Sequence, residues 1–186
     1  MKQFKISFLI FLIMSVLLGV IYPLVMTGIA EIALSKKANG SLIKINNVVS
    51  GSELIGQNFS GQRYFHGRPS ANNYDGVNSG GSNFGPTNKK LIDQAVNYAD
   101  RIRKENGLAS DAKIPSDLTL ASGSGLDPHI RLDSAMLQAP RIARERKINE
   151  SVINDLIKKN RERRYFGLSG DSFVNVLKLN IALDSM

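Results

Sequence analysis

From Ile6 to Ala30 the chain carries no charged residue and no polar stripe, and fifteen of those positions are Leu, Ile, Val or Phe. As a helix this run extends about 37 Å at 1.5 Å per residue, against a hydrocarbon core of roughly 30 Å. At roughly −0.3 to −0.6 kcal/mol per residue, those side chains favour insertion by about 5–9 kcal/mol. A core helix of a soluble protein would show a polar stripe instead. The rival is a cleaved signal peptide, because Gly28-Ile29-Ala30 resembles a small-x-small cleavage site, but the apolar region of such a peptide is usually only about 7–15 residues. The pattern predicts a retained transmembrane helix kinked at Pro23, with residues 1–34 as the anchor and its flanks.

Residues 35–186 read as one soluble domain of mixed helix and strand, giving an α+β fold class. Leu42–Val49 is rich in β-branched residues and predicts one strand or two short ones. Residues 50–88 are dominated by Gly, Ser and Asn without periodicity, a length that marks a functional or disordered loop. The aromatics Phe59, Tyr64, Phe65, Tyr74 and Phe84 within it argue for order. Helical spacing begins after Thr87, with Leu91, Ile92, Ala95, Ala99 and Ile102 on one face and Gly107 as C-cap. Pro115 marks a turn, and Leu118–Ala121 predicts a short strand. Asp133 or Ser134 is the expected cap of a helix running to about Arg146, kinked near Pro140. Val152, Ile153, Leu156 and Ile157 predict a further helix over 150–160. From Phe173 to Leu183 the pattern fits either a strand or a buried helix.

Composition narrows the function. The formal charge of +8 is spread through a domain with abundant Asp and Glu, which argues against a nucleic-acid role. The absence of cysteine excludes disulfides, thiol nucleophiles and cysteine zinc sites. Lys2 and Lys5 precede the span, and Glu31, Lys36, Lys37 and Lys44 follow it. The charge count is nearly tied, and the short basic tail favours a cytoplasmic N-terminus and an extracytoplasmic domain.

Two stretches suggest chemistry. Ser79 to Asn88 is a glycine-rich loop opening into a helix, a geometry that suits an anion. Gly80 and Gly85 have Walker A spacing, but Pro86 stands where that motif requires lysine, which excludes a P-loop ATPase. The competing reading is a loop of tight turns in which glycine supplies positive φ. Ser122 to His129 is not a nucleophile elbow, because Ser124 sits between adjacent glycines. Asp127 and His129 could pair on a metal, yet His66 is the only other histidine. A local turn initiated by Asp127 before Pro128 accounts for them better.

Five blocks then carry a family resemblance: Gly51–Phe59, Tyr64–Ala71, Ser79–Asn88, Ala121–Ile130 and Val174–Asn180, in this order after one span. Together they resemble the C subunit of the Kdp-type potassium-transporting P-type ATPase over nearly the whole chain. The resemblance implies a single-span accessory subunit of the plasma (cell inner) membrane. Its implied partners are a channel-like potassium-selecting subunit and the P-type ATPase subunit. It also implies a catalytic-chaperone role that raises ATP affinity, with Ser79, Gly80, Gly81, Ser82 and Asn83 as nucleotide contacts resembling the transporter signature motif, Asn83 standing where Gln is frequent. No catalytic residue and no metal are expected in this chain, and no Asp-Lys-Thr-Gly phosphorylation motif is present, so it is not the pump. An ATP-contacting domain must face the cytoplasm, whereas the anchor puts it outside. The topology therefore favours a structural role at the potassium-selecting subunit. A membrane-tethered binding protein or hydrolase is the reading from another class.

Overall fold

The computed structural model describes residues 1–162 and 172–186. The chain divides into two compact units, Met1–Ser52 and Glu53–Met186.

In the first unit, α1 (Lys2–Val16), a π-helical turn (Leu17–Ile21) and α2 (Tyr22–Ala38) follow one another without an intervening loop, as one helix as far as Leu34. Its length and composition suit a membrane span, and none of it is buried within the protein. Pro23 has no N–H to donate and its ring crowds the carbonyl four residues back, that of Gly19. Gly19 lies inside the π-helical turn, where the wider ring of hydrogen bonds absorbs that mismatch. Helical geometry also breaks at Leu34 (φ −137°, ψ 32°). The helix is followed by a hairpin of β1 (Leu42–Ile45) and β2 (Val48–Ser52), antiparallel with a register shift after Ile43. Asn46 and Asn47 turn it with φ of 50° and 64°, the left-handed pair that matches strand twist in two-residue hairpins. The hairpin thus takes the two-strand form of the sequence expectation.

The second unit is α+β, as the pattern implies. Its helices are α3 (Lys89–Asn106), α4 (Leu132–Arg146), α5 (Glu150–Lys159) and α6 (Val176–Asp184). Strands β3 (His129–Arg131), β4 (Arg161–Glu162) and β5 (Phe173–Asn175) make an antiparallel sheet in the order β3-β5-β4. Phe65, Leu118, Ile130, Ala139, Ile142, Ile153, Ile157, Val174, Leu179 and Leu183 form the core. A fully buried Leu or Ile stabilises by about 1.5–3 kcal/mol, so these positions supply the main driving force. The Phe173–Leu183 run resolves into both alternatives: three residues pair as β5, and Asn175 then caps α6 by accepting the Lys178 amide (3.1 Å).

Two local expectations are corrected. Leu118–Ala121 is not a strand. Ser116–Leu118 is a 3₁₀ turn that drops Leu118 into the core, and the Asp117 carboxylate accepts the Arg131 amide (2.7 Å) and the Ser134 hydroxyl (2.6 Å). Neither Asp133 nor Ser134 is the cap of α4, which starts at Leu132 with no side-chain cap at Arg131. The Leu132 amide donates to the Ser172 carbonyl (3.0 Å), and Asp133, inside the first turn, accepts the Ser134 amide (3.0 Å). The same helix continues without a break through Pro140. By contrast, α3 matches its expectation. Asn88 caps it by accepting the Lys90 amide (2.9 Å), and Gly107 ends it at φ 65°.

Candidate functional site

No regular element lies between Ser52 and Lys89, and the order of this segment comes from side chains that imitate a strand partner. Asn180 accepts the Phe65 amide (2.9 Å) and donates to the Phe65 carbonyl (3.0 Å). Gln138 does the same for His66, at 2.8 and 3.1 Å. Arg141, with none of its surface exposed, donates to the carbonyls of Gln62 and Tyr64 and to Asn106 Oδ1. Burial lowers its pKa, with Glu105 opposing the shift. Arg146 donates to the Arg63 carbonyl (2.9 Å) and to Asp184 (2.6 Å), and lies over the Tyr64 ring at 5.0 Å. Sequence reasoning missed this scaffold. The available signal was polar Gln138 and Arg141, three apart on a helix face that otherwise carries Ala135, Ala139 and Ile142.

The two glycine-serine stretches interlock. Gly80 N–H donates to the Ser124 carbonyl (2.8 Å), and the Ser79 hydroxyl donates to the same oxygen (3.0 Å). A Cβ on Gly81 would meet the Gly123 carbonyl at 3.0 Å, and one on Gly125 (φ 69°) would meet Asn72 Oδ1 at 2.4 Å and the Gly80 carbonyl at 2.7 Å. The expectation that loop glycines supply positive φ is corrected here. Within 79–88 the left-handed residue is Asn83 (φ 54°), and of the three glycines only Gly81 is set by close backbone approach. Of the five nucleotide-contact candidates, Gly81 and Ser82 line a cleft of about 430 Å³ with Ser70, Phe84, Gln94 and Tyr98. Ser79 and Gly80 are committed to Ser124, and Asn83 is exposed. Lys89 pairs with Asp93 (2.8 Å), and Asn88 takes the Lys90 amide in the first turn of α3. The anion geometry legible in the loop-to-helix pattern is thus occupied in part by the protein's own groups, at Ser79, Gly80, Lys89 and the Lys90 amide.

His66 and the Asp127–His129 pair have different neighbours and form no joint site. His66 Nε2 lies 3.0 Å from the Gly61 carbonyl and Nδ1 3.3 Å from Glu105 Oε2, and both Nδ1 and Oε2 lack a hydrogen-bond partner. A neutral ring donating from Nε2 explains this: two acceptors then face each other without a proton between them. Burial and the nearby Arg141 charge lower the His66 pKa, outweighing Gly61 and Glu105. Arg101, donating to Glu105 at 2.7 Å, compensates the carboxylate.

Asp127 forms the expected turn: its Oδ1 accepts the His129 amide (2.9 Å), while Oδ2 pairs with Arg68 (3.0 Å). Burial raises the Asp127 pKa, but the His129 and Arg68 contacts outweigh it and the net shift is downward. His129 Nδ1 and Nε2 lie 3.5 Å from Asp127 Oδ1 and 3.3 Å from Glu162 Oε2. Lys178 joins Glu162 (3.4 Å) to Glu53 (2.9 Å). Among the described residues no group of three His, Cys, Asp or Glu side chains could hold a metal ion.

A long N-terminal apolar helix that suits a membrane span, followed in the chain by an α+β unit, defines a membrane-associated chain. Its family follows from comparison: the model of "K+-transporting ATPase, c chain" matches residues 4–185, and this chain belongs to that family. The KdpC subunit of the potassium-transporting ATPase of Koribacter versatilis is 44% identical over 185 residues, covering 98% of this chain and 94% of the relative. That of Caldanaerobacter subterraneus is 45% identical over 172 residues (92% and 89%). That of Mycobacterium tuberculosis is 43% identical over 177 residues (94% of each).

Proposed function

We propose that this chain is a non-catalytic accessory subunit of an ATP-driven potassium uptake complex, required for its assembly and transport. The family match across residues 4–185 carries the proposal. In this reading the N-terminal helix anchors the chain in the plasma membrane with its N-terminus cytoplasmic. Residues 35–186 lie outside, against the channel-like potassium-selecting subunit, while the P-type ATPase subunit supplies the chemistry.

The β1–β2 hairpin supports docking. Two strands alone are marginal in water, yet this hairpin exposes Leu42, Ile45, Val48 and Val49 close in sequence to the end of the span. Covering them with a partner subunit would remove that apolar surface from water.

A second reading, direct ATP contact that raises nucleotide affinity, rests on one observation: Gly81 and Ser82 border a cleft that also contains Phe84 and Tyr98. The engagement of Ser79 and Gly80 by Ser124 favours the assembly role.

The test is growth at limiting potassium in a strain lacking its own corresponding subunit, with this chain and its cognate partners supplied. Restored growth is expected, and Val48→Lys with Val49→Lys should lower both growth and the amount of complex recovered. No growth difference between strains with and without this chain overturns the proposal.

A further inference from the structure

His129 has a carboxylate at each ring nitrogen, from two different elements: Asp127 from the turn before β3 at Nδ1, and Glu162 from β4 at Nε2. A neutral imidazole carries a single N–H, so in either tautomer one nitrogen presents a lone pair to a carboxylate. Only the imidazolium donates to both. We propose that His129 is a proton-operated latch that ties the two-residue strand β4 to the turn at Asp127 when protonated and releases it when neutral.

The direction of release also follows from the neighbours. Asp127 is held independently by Arg68 (3.0 Å) and by the backbone amide of His129 (2.9 Å). The Asp127 contact is the strongest of those that favour the ring's proton. With the one remaining proton at Nδ1, the ring turns a lone pair to Glu162, which loses its contact with His129. What then holds Glu162 is the pairing of β4 with Phe173 and Val174, together with Lys178 at 3.4 Å, itself shared with Glu53. The remaining charges around the ring, Arg131 and Asp117 on the rim of the same pocket, are engaged with Asp133 and Ser134. The contact with Asp127 raises the His129 pKa, burial opposes it, and Glu162 adds to the rise while Lys178 subtracts. The latch therefore opens above the usual histidine range. It needs no nucleotide or partner, so it stands or falls independently of the proposed function.

The full chain in detergent, labelled at histidine, is titrated by NMR, with His66→Gln assigning the two rings. The His129 midpoint is expected above the ordinary value of about 6.5. Across that midpoint, the hydrogen-exchange protection of the β4 amide, of Arg161 or Glu162, that faces β5, corrected for intrinsic rate, should fall roughly two- to five-fold, the range for a partly exposed ion pair. Glu162→Gln, on an exposed strand, should lower the midpoint and flatten the protection profile, and His129→Gln should flatten it as well. A midpoint at or below 6.5, protection that does not change through the titration, or an unaltered profile in Glu162→Gln overturns the latch.

Discussion

Asn180 and Phe65, 115 positions apart, are paired through both backbone groups of Phe65: the amide donates to Asn180 Oδ1 at 2.9 Å and the carbonyl accepts from Nδ2 at 3.0 Å. Both residues are buried, so the side-chain amide takes the place of a neighbouring strand for a segment that has none. Truncation leaves a buried N–H and a buried C=O unsatisfied, at about 1–3 kcal/mol each. Asn180→Ala should therefore lower unfolding stability by about 2–5 kcal/mol, read as a lower urea midpoint. A change below about 0.5 kcal/mol would mean that water enters and replaces the amide.

The interlocked loops give a graded series. No heavy atom lies within 4 Å of a Cβ placed on Gly80, and this residue is not at positive φ, so Gly80→Ala should leave stability within about 0.5 kcal/mol of the parent. Gly125→Ala adds a Cβ at φ 69° that meets Asn72 and the Gly80 carbonyl, and should cost at least about 1–2 kcal/mol. Thermal unfolding of the two variants side by side checks this, and equal effects would contradict the packing of 79–81 on 122–125.

Much of this fold was legible in the sequence, and the misses share a cause. The apolar span, the hairpin, α3 with its Gly107 cap and α5 all follow from local pattern, because each element satisfies its own backbone. Residues 50–88 could be read only as a long ordered loop, since the groups that order it, Gln138, Arg141 and Asn180, lie more than fifty residues away. Leu118–Ala121 reads as a strand from its local pattern, whereas the Ser116–Leu118 turn that replaces it depends on Asp117 reaching Arg131 and Ser134. In the candidate site, sequence marked the right loop but not which of its residues face a cleft. Gly81 and Ser82 do, whereas Ser79 and Gly80 turn to Ser124, a contact that only tertiary structure creates.

His66 should give an acid-sensitive stability term. Burial and Arg141 hold its folded pKa below the unfolded value of about 6.5, so below 6.5 the unfolded chain binds more protons at this position. The stability is fully present above pH 6.5 and is lost as pH falls through the folded pKa. His129 has the opposite sign: its raised pKa stabilises below 6.5, and the effect disappears as pH rises through the folded value. Urea midpoints measured from pH 5 to 9 should show a shallower acid decline in His66→Gln and a lower acid-side stability in His129→Gln. Reversed signs would refute the protonation states assigned to the two rings.

The loop at 79–83 decides between assembly and ATP contact. If Ser82 or Asn83 bonded nucleotide, losing one neutral hydrogen bond at about 0.5–1.5 kcal/mol would raise the complex's apparent KM for ATP roughly 2- to 12-fold. Asn83 is exposed at φ 54°, and Ser82 borders the cleft without a role in holding the loop. Ser82→Ala and Asn83→Gly, which removes the side-chain amide but tolerates the left-handed φ of 54°, are thus mild changes that report on ligand contact, while Gly125→Ala disturbs the loop's support on 122–125. In the assembly reading, the two mild variants leave the ATP KM within about twofold of the parent, and Gly125→Ala lowers the yield of complex or its apparent potassium affinity with the ATP KM unchanged. Steady-state ATPase assays on the purified complex, varying ATP and potassium separately, distinguish these outcomes. A several-fold rise in ATP KM in Ser82→Ala, with assembly and potassium affinity intact, would replace the assembly role by direct nucleotide contact at this cleft and would require the domain to face the cytoplasm.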